Sequence, residues 1–445
     1  MILNRFLLKE LKVRADRPDA KPMLLKGARG TGKTALMRAL GETVFAGHTA
    51  YFDLAKNRAA ARIFEDDLDP RRLVQKLQAL THVPIREHKT LIMLDNLEAS
   101  DRALASLKYF AQEARGFRVI AAATYLDAAV RMRHLFTPVG CVEILTVQPL
   151  SFAEFLANHS PSLFDEVEYI SSFAPLTNAI LTELFSVWQT YLTVGGLPEA
   201  AAAFLSAWDI TAADHALTQY LLALRGDFSA NAQGAETRRI GNVWQSLPQQ
   251  LVAGASKFFL SKVDANARSR EYRPAVFWLE EAGLITRIYR ARKPALPLSA
   301  YCNFEAYKVS LFDTGLLRAA AGISADALQR PTPEAAAVRA VLDRNALTQS
   351  LAAQLKARPA YFETNGRTTA DFLIQTSSNL IPAELALNPD RRGNTIKRFA
   401  VRQKMPFAVR FALDNLSFTD GVMTIPLPLA DWTAKLIGLT ENSAY

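Results

Sequence analysis

Two cysteines in 445 residues, Cys141 and Cys302, are too few and too far apart for a disulfide framework or a thiolate metal site. They read as buried thiols of a reducing cytoplasm. Also missing is any uninterrupted apolar stretch of about 18 residues, so no membrane span is expected. The apolar run that starts Met1-Ile2-Leu3-Asn4-Arg5-Phe6-Leu7-Leu8 is too short for a secretory signal. Internal repeats and low-complexity tracts are absent as well, which argues against solenoids and tails. Acidic residues are the minority: 52 Lys and Arg against 43 Asp and Glu give a formal net charge of +9. That excess suits an anionic partner, either nucleic acid or a membrane surface, although a merely solvated basic surface gives the same number. Half the residues are hydrophobic, and the length calls for two to four packed domains.

What is present is concentrated early. Gly27-Ala28-Arg29-Gly30-Thr31-Gly32-Lys33-Thr34 satisfies the phosphate-loop pattern G-x-x-x-x-G-K-[ST]. Met23–Leu25 before it reads as a buried strand. Thr34–Phe45 after it reads as a helix with Leu36, Leu40 and Val44 on one face. The glycines let successive backbone N–H groups turn toward a phosphate chain at the positive end of a helix. Lys33 is expected to reach the β- and γ-phosphates of ATP, and Thr34 to hold Mg²⁺ through its hydroxyl. A turn of this composition that binds nothing is the bland alternative.

Leu91-Ile92-Met93-Leu94-Asp95 is a hydrophobic strand ending in an acid, the form of a Walker B motif, and Asp95 is the second expected magnesium holder. Thr124, closing the strand Arg118–Thr124, is a candidate sensor of the γ-phosphate, or else an ordinary strand-end hydroxyl. Strand candidates at Met23–Leu25, Ala50–Asp53, Thr90–Asp95, Arg118–Thr124 and Cys141–Leu145 alternate with helical stretches, which predicts a parallel sheet covered on both faces.

Several longer stretches carry a resemblance. Ser106-Leu107-Lys108-Tyr109-Phe110, Gln148-Pro149-Leu150-Ser151-Phe152-Ala153-Glu154-Phe155-Leu156, Gly195-Gly196-Leu197-Pro198-Glu199 and the segment from Phe304 to Leu317 are similar to a prokaryotic family of AAA-type ATPases. In that family the ATPase core is followed by a winged-helix region and a C-terminal domain of restriction-endonuclease type. The fold class this implies is α/β: an AAA-type P-loop core over 1–150, a helical lid over 151–233, a winged helix-turn-helix over 234–330 and a nuclease-like domain over 334–432. Pro198 is then implied to lie in the lid as a nucleotide contact, or to be simply a helix breaker. AAA-type ATPases usually place Glu directly after the Walker B acid, where this chain has Asn96. An amide orients water but cannot take its proton, so hydrolysis is expected to be slow or absent unless Glu98 substitutes.

Two further constellations bear on DNA. Arg268, Arg270 and Arg273 cluster at the start of a helix that Gly283 ends. A strand carrying Arg287 and Arg290 follows, the layout of a helix and basic wing. These five arginines are the candidate DNA contacts, against the alternative that such a module packs on a partner. In Ala370-Asp371-Phe372 and Ala383-Glu384-Leu385-Ala386, Asp371 and Glu384 resemble the metal-binding acids of a PD-(D/E)xK nuclease core. Period-two alternation puts position 386 on the same face as Glu384. That position, normally the lysine, is Ala386, and Arg344 stands where the family has an acid on the preceding helix. The nuclease module is therefore expected to be degenerate.

Together these features predict a cytoplasmic, ATP- and Mg²⁺-binding, DNA-associated switch, with a homo-oligomer or a protein partner open. The rivals are an active ATPase coupled to DNA cleavage, with Glu98 and a lysine such as Lys397 filling the gaps, and a nucleotide-stabilised scaffold. Arg131 and Arg133 are the candidate arginine fingers.

Overall fold

Short apolar strands and side-chain-capped helices alternate through the N-terminal third of the computed structural model. The structure describes residues 3–133, 140–231, 234–255, 257–264, 268–364, 367–388 and 393–442. They divide into two compact units, Asn4–Pro149 with Phe277–Leu284, and Leu150–Val276 with the chain from Ile285 onward.

The first unit contains α1 (Phe6–Ala15), β1 (Met23–Gly27), α2 (Lys33–Val44), β2 (Thr49–Asp53), α3 (Arg58–Asp66), α4 (Pro70–Thr81), β3 (Leu91–Asp95), α5 (Asp101–Glu113), β4 (Arg118–Thr124), α6 (Leu126–Arg133) and β5 (Glu143–Thr146). The strands form one sheet in the order β2-β3-β4-β1-β5, and every pair is parallel. Alternate residues feed two cores. Leu24, Ile92, Leu94, Ala121 and Ala123 meet Phe64, Leu107 and Phe110 on one face. Met23, Leu25, Leu91, Met93, Ile120 and Ala122 meet Leu11, Leu36, Met37 and Leu40 on the other. Each buried leucine contributes about 1.5–3 kcal/mol, far more than the tenths that separate helix propensities. Burial on both faces therefore fixes this layer. Helix starts are set locally: Asn57 caps α3, Asp69 with Pro70 starts α4, and Ser100 caps α5.

The second unit begins with helices: α7 (Phe152–His159), α8 (Pro161–Glu168), α9 (Asn178–Val194), α10 (Pro198–Ala207), α11 (Ile210–Asn231) and α12 (Ala235–Val252). A capping box between Ser151 and Glu154 starts α7. Then come α13 (Ser269–Glu281), whose residues from Phe277 on belong to the first unit, β6 (Ile285–Ala291), β7 (Cys302–Leu311), α14 (Thr314–Ala320), α15 (Ala325–Gln329) and α16 (Pro333–Gln354). The chain closes with β8 (Ala360–Thr364), β9 (Arg367–Gln375), β10 (Leu380–Ala386), α17 (Asn394–Arg402), β11 (Ala408–Ala412), β12 (Ser417–Thr419), β13 (Val422–Pro426) and α18 (Thr433–Asn442). Eight strands make a mixed sheet ordered β12-β13-β11-β10-β9-β8-β6-β7.

Three features depart from the sequence expectation. The region read as a winged helix-turn-helix holds, among the described residues before its hairpin, α12, a 3-10 turn at Leu260–Lys262 and α13. The β6–β7 hairpin is antiparallel as a wing is, but β6 also pairs in parallel with β8 and so extends the large sheet. Finally, β12 and β13 were not anticipated. Short strands flanking a turn at Asp420 and Gly421, both with positive φ, carry too little alternation to stand out.

Candidate nucleotide-binding site

The loop between β1 and α2 is shaped by close backbone approaches that only glycine permits. A Cβ on Gly27 would lie 2.4 Å from the carbonyl oxygen of Val147. Gly32, at φ 93°, is the N-cap of α2 and offers no side chain to its first amides, which leaves those donors for a ligand. Lys33 is buried, and its ammonium donates to the carbonyls of Gly27 (3.1 Å) and Ala28 (2.7 Å). The Thr31 hydroxyl donates to the Ala28 carbonyl at 3.0 Å, while Arg29 and Gly30 are exposed at the loop's tip. Arg5 braces the loop from below, donating to the carbonyls of Thr31 (2.9 Å) and Gln148 (2.7 Å). No sequence pattern marks Arg5, because its partners are backbone atoms remote in the chain.

Asp95, at the end of β3, gathers the hydroxyls around its carboxylate. Thr34 Oγ1 donates to Asp95 Oδ2 at 2.7 Å and the Tyr51 hydroxyl donates to the same oxygen at 2.8 Å. The Asn96 amide N–H donates to Oδ1 at 3.0 Å. Burial, with the neighbouring Asp95 carboxylate, pushes the Tyr51 phenol up to about 12, so it stays a donor at any physiological pH. Tyr51 was missed in the sequence. The available signal was its place two residues before Asp53 on β2, the same face of the strand.

Asn96 and Glu98 divide differently from expectation. Asn96 adopts a left-handed conformation at φ 53°, and its side-chain amide donates to Asp53 Oδ1 at 2.8 Å. Glu98 sits in the 3-10 turn Leu97–Ala99. Its Oε2 accepts the backbone N–H of Thr124 at 3.0 Å. Thr124 is level with Gly27 in the adjacent strand, because β4 lies between β1 and β3. Burial raises the Glu98 carboxyl above its ordinary range, opposed by its own amide, the Thr124 amide and the Lys33 charge.

Other residues of this unit also reach the loop. Gly283 lies close enough that a Cβ there would be 3.7 Å from the Ala28 amide nitrogen. Trp278 is fully buried against Tyr125, ring centroids 5.6 Å apart. Arg131 is bound to Glu281 at 2.5 Å and lies over the Phe277 ring, so its guanidinium already serves a local contact. The side chain of Arg133 lies outside the described residues.

Pro198 opens α10 in the second unit. The turn before it is fastened by Asp313, which accepts the Gly196 amide at 2.6 Å and caps α14 through Leu316 at 2.7 Å. A Cβ on Gly196 would lie 2.0 Å from the Leu150 carbonyl oxygen. The two resembling stretches Gly195–Glu199 and Phe304–Leu317 are therefore one packed knot.

Of the five candidate DNA contacts, Arg268 and Arg270 are exposed. Arg273 pairs with Glu305 at 2.6 Å and Arg290 approaches Glu363 at 3.7 Å. Arg287 corrects the expectation: it is buried, with its guanidinium over the rings of Tyr289 and Tyr307 at 5.3 and 5.1 Å. It packs the hairpin rather than facing solvent.

Asp371 and Glu384 line a cleft of about 780 Å³ with Lys257, Lys308 and Arg344. Arg344 donates to Asp371 Oδ1 at 2.8 Å, and the Leu385 amide donates to Oδ2 at 3.0 Å. Burial alone would raise Asp371, yet Arg344 and Lys308 outweigh it and hold the carboxyl below its usual range. Glu384 is buried and in register with Arg410 of β11, while Ala386 is a buried methyl. Lys397, which the rival nuclease reading puts in the gap, approaches Asp420 at 3.7 Å. Among the described residues no group of three or more His, Cys, Asp or Glu could hold a metal ion, and no helix is long and apolar enough to cross a membrane.

A phosphate loop after β1, an acid ending β3 and a polar residue ending the strand between them define a P-loop fold of AAA type. Residues 19–156 match the family model described as AAA domain, and residues 186–327 match one described as Domain of unknown function (DUF8612). Among solved structures, the Walker-type ATPase PABY2304 of Pyrococcus abyssi is 13% identical, covering 72% of this chain and 96% of its own, at a TM-score of 0.41. The Aeropyrum pernix ORC2 protein in ADPNP-ADP complexes is 12% identical over 76% of this chain and 93% of its own, TM-score 0.36. AMPPCP-bound DnaA from Aquifex aeolicus is 11% identical over 62% and 86%, TM-score 0.26. Likenesses at these scores are weak, and the AAA assignment rests on the family match and the sheet order. No curated protein matches the chain.

Proposed function

We propose that the chain binds Mg-ATP at Gly27–Thr34 and acts as a DNA-associated, nucleotide-dependent switch with slow hydrolysis and a nuclease-like module that no longer cuts. The observation that carries the nucleotide reading is the Thr34 hydroxyl held 2.7 Å from Asp95 at the start of α2, beside a lysine buried in the loop. Those donors fit a magnesium ion: one hydroxyl to bind it directly and one carboxylate to hold its waters. The ion would supply charge neutralisation on the phosphate chain.

The DNA part of the reading draws on the net charge of +9 and on exposed Arg268 and Arg270. The Arg273–Glu305 pair is mostly solvent-exposed, and such pairs are worth about 0–1 kcal/mol. A phosphate can therefore displace Glu305 at little cost. The inactive reading of the C-terminal module draws on Asp371, whose two oxygens are engaged by Arg344 and a backbone amide. A cation at that point repels the metal that cleavage requires, and Ala386 offers no charged helper.

The test is a DNA mobility shift with and without ATP. Wild type is expected to change its DNA affinity when Mg-ATP is added, and Lys33→Ala to lose that response. The double variant Arg268→Glu, Arg270→Glu should weaken binding and flatten its dependence on salt. Plasmid should remain uncut throughout. Nicking that Lys33→Ala abolishes would replace this reading with an ATP-driven nuclease.

A further inference from the structure

Hydrolysis of ATP needs a group that orients water and takes its proton, and Asn96 cannot take one. The structure gives that amide other work, since it donates to Asp53 Oδ1 at 2.8 Å across the strand ends. Three residues past Asp95, the 3-10 turn brings a carboxylate back over the same end of the sheet. Glu98 Oε2 accepts the Thr124 N–H at 3.0 Å, and Thr124 is the register partner of Gly27, the first residue of the phosphate loop. Neighbouring strands lie about 4.8 Å apart, so this carboxylate is fixed one strand away from the loop and within the field of Lys33.

We infer that Glu98, rather than Asn96, is the base for ATP hydrolysis in this chain. The inference rests on the proposed ATP site and deepens it by naming the group that limits turnover. In the step, a water oxygen bonds to the γ-phosphorus as one of its protons passes to the Glu98 carboxylate. The bond from the γ-phosphorus to the β–γ bridging oxygen breaks, and ADP leaves with the electron pair. The proton held on Glu98 is then lost to phosphate or solvent. Because the turn shifts the carboxylate by two positions from the residue after Asp95, its reach is set by the Thr124 hydrogen bond rather than by β3 itself.

Glu98→Gln tests this cleanly, since the amide oxygen can still accept the Thr124 N–H while the base is gone. ATP affinity by titration calorimetry, thermal stability and phosphate release are measured on wild type, Glu98→Gln and Lys33→Ala. Expected are an ATP affinity and melting temperature for Glu98→Gln close to wild type, with phosphate release lower by about 10²-fold or more. Release by Glu98→Gln within a few-fold of wild type overturns the inference. So does a variant that loses ATP affinity and stability together, because the carboxylate is then a strut. Wild type that binds ATP yet releases phosphate no faster than Lys33→Ala also overturns it while leaving the switch intact. A wild type that fails to bind ATP sinks the proposed function itself.

Discussion

Single side chains decide how the phosphate loop is held. Arg5 spans from α1 to the loop and to Gln148 with two charge-assisted bonds to carbonyl oxygens. Hydrogen bonds to charged groups contribute about 1.5–3 kcal/mol each in favourable settings, and an abandoned buried carbonyl adds a penalty. Arg5→Ala is therefore expected to destabilise the nucleotide unit by roughly 2–4 kcal/mol in denaturant titration, and to weaken ATP binding through a looser loop. A variant of wild-type stability would show that Thr31 and Gln148 are satisfied in some other way. Glycine acts at the same scale with the opposite logic. Gly196 is required because any Cβ would overlap the Leu150 carbonyl oxygen at 2.0 Å.

At the scale of elements, buried acids pin helices and tie their stability to pH. Asp343 of α16 accepts the Trp188 indole N–H of α9 at 2.7 Å. Burial, only partly opposed by that bond and by Arg339, pushes its carboxyl up to about 7. The folded value is raised above the ordinary 3.8. Its stabilising contribution is thus complete below about pH 4 and is lost as pH rises through about 7. Asp313, raised to about 6 by burial, has the same sign. The second unit should melt at higher temperature at pH 5.5 than at pH 8 so far as these groups govern it. Asp343→Asn, which keeps an acceptor for Trp188, should flatten that slope and melt higher than wild type at pH 8. An unchanged slope would mean that Asp343 titrates normally.

Much of the first unit was legible because burial on both faces writes itself as apolar runs. Leu91–Asp95 and Arg118–Thr124 needed at most one residue of adjustment. The phosphate loop, the acid at Asp95 and the sheet's parallel character followed from the same runs. What stayed hidden depends on contacts between distant residues: the Tyr51 hydroxyl on Asp95, the Arg5 brace, and the burial of Arg287 between two tyrosines. Arginine spacing on α13 and β6 suggests a basic face, but spacing cannot tell an exposed guanidinium from one stacked on rings. Likewise Arg344 was foreseen as a cation beside the acids, whereas Lys308 was not. It arrives from β7, more than sixty residues earlier, and burial with nearby Arg344 lowers its ammonium to about 8 despite Asp371.

For the whole molecule, two departures from the usual pattern of active sites point the same way. One site keeps the loop, the lysine and the acid ending β3, and its proposed base is Glu98. The other keeps a cleft of about 780 Å³ and two acids, yet neutralises one acid with Arg344. On the proposed reading, such a molecule gates binding by nucleotide rather than degrading DNA. Everything in that account depends on ATP occupying the loop at Gly27–Thr34. The direct measurement is calorimetric titration of the full chain with Mg-ATP and with a non-hydrolysable analogue, with Lys33→Ala as control. The account predicts saturable heat at about one nucleotide per chain for wild type and none for Lys33→Ala. No heat and no thermal shift from either nucleotide with the folded wild-type protein would contradict it.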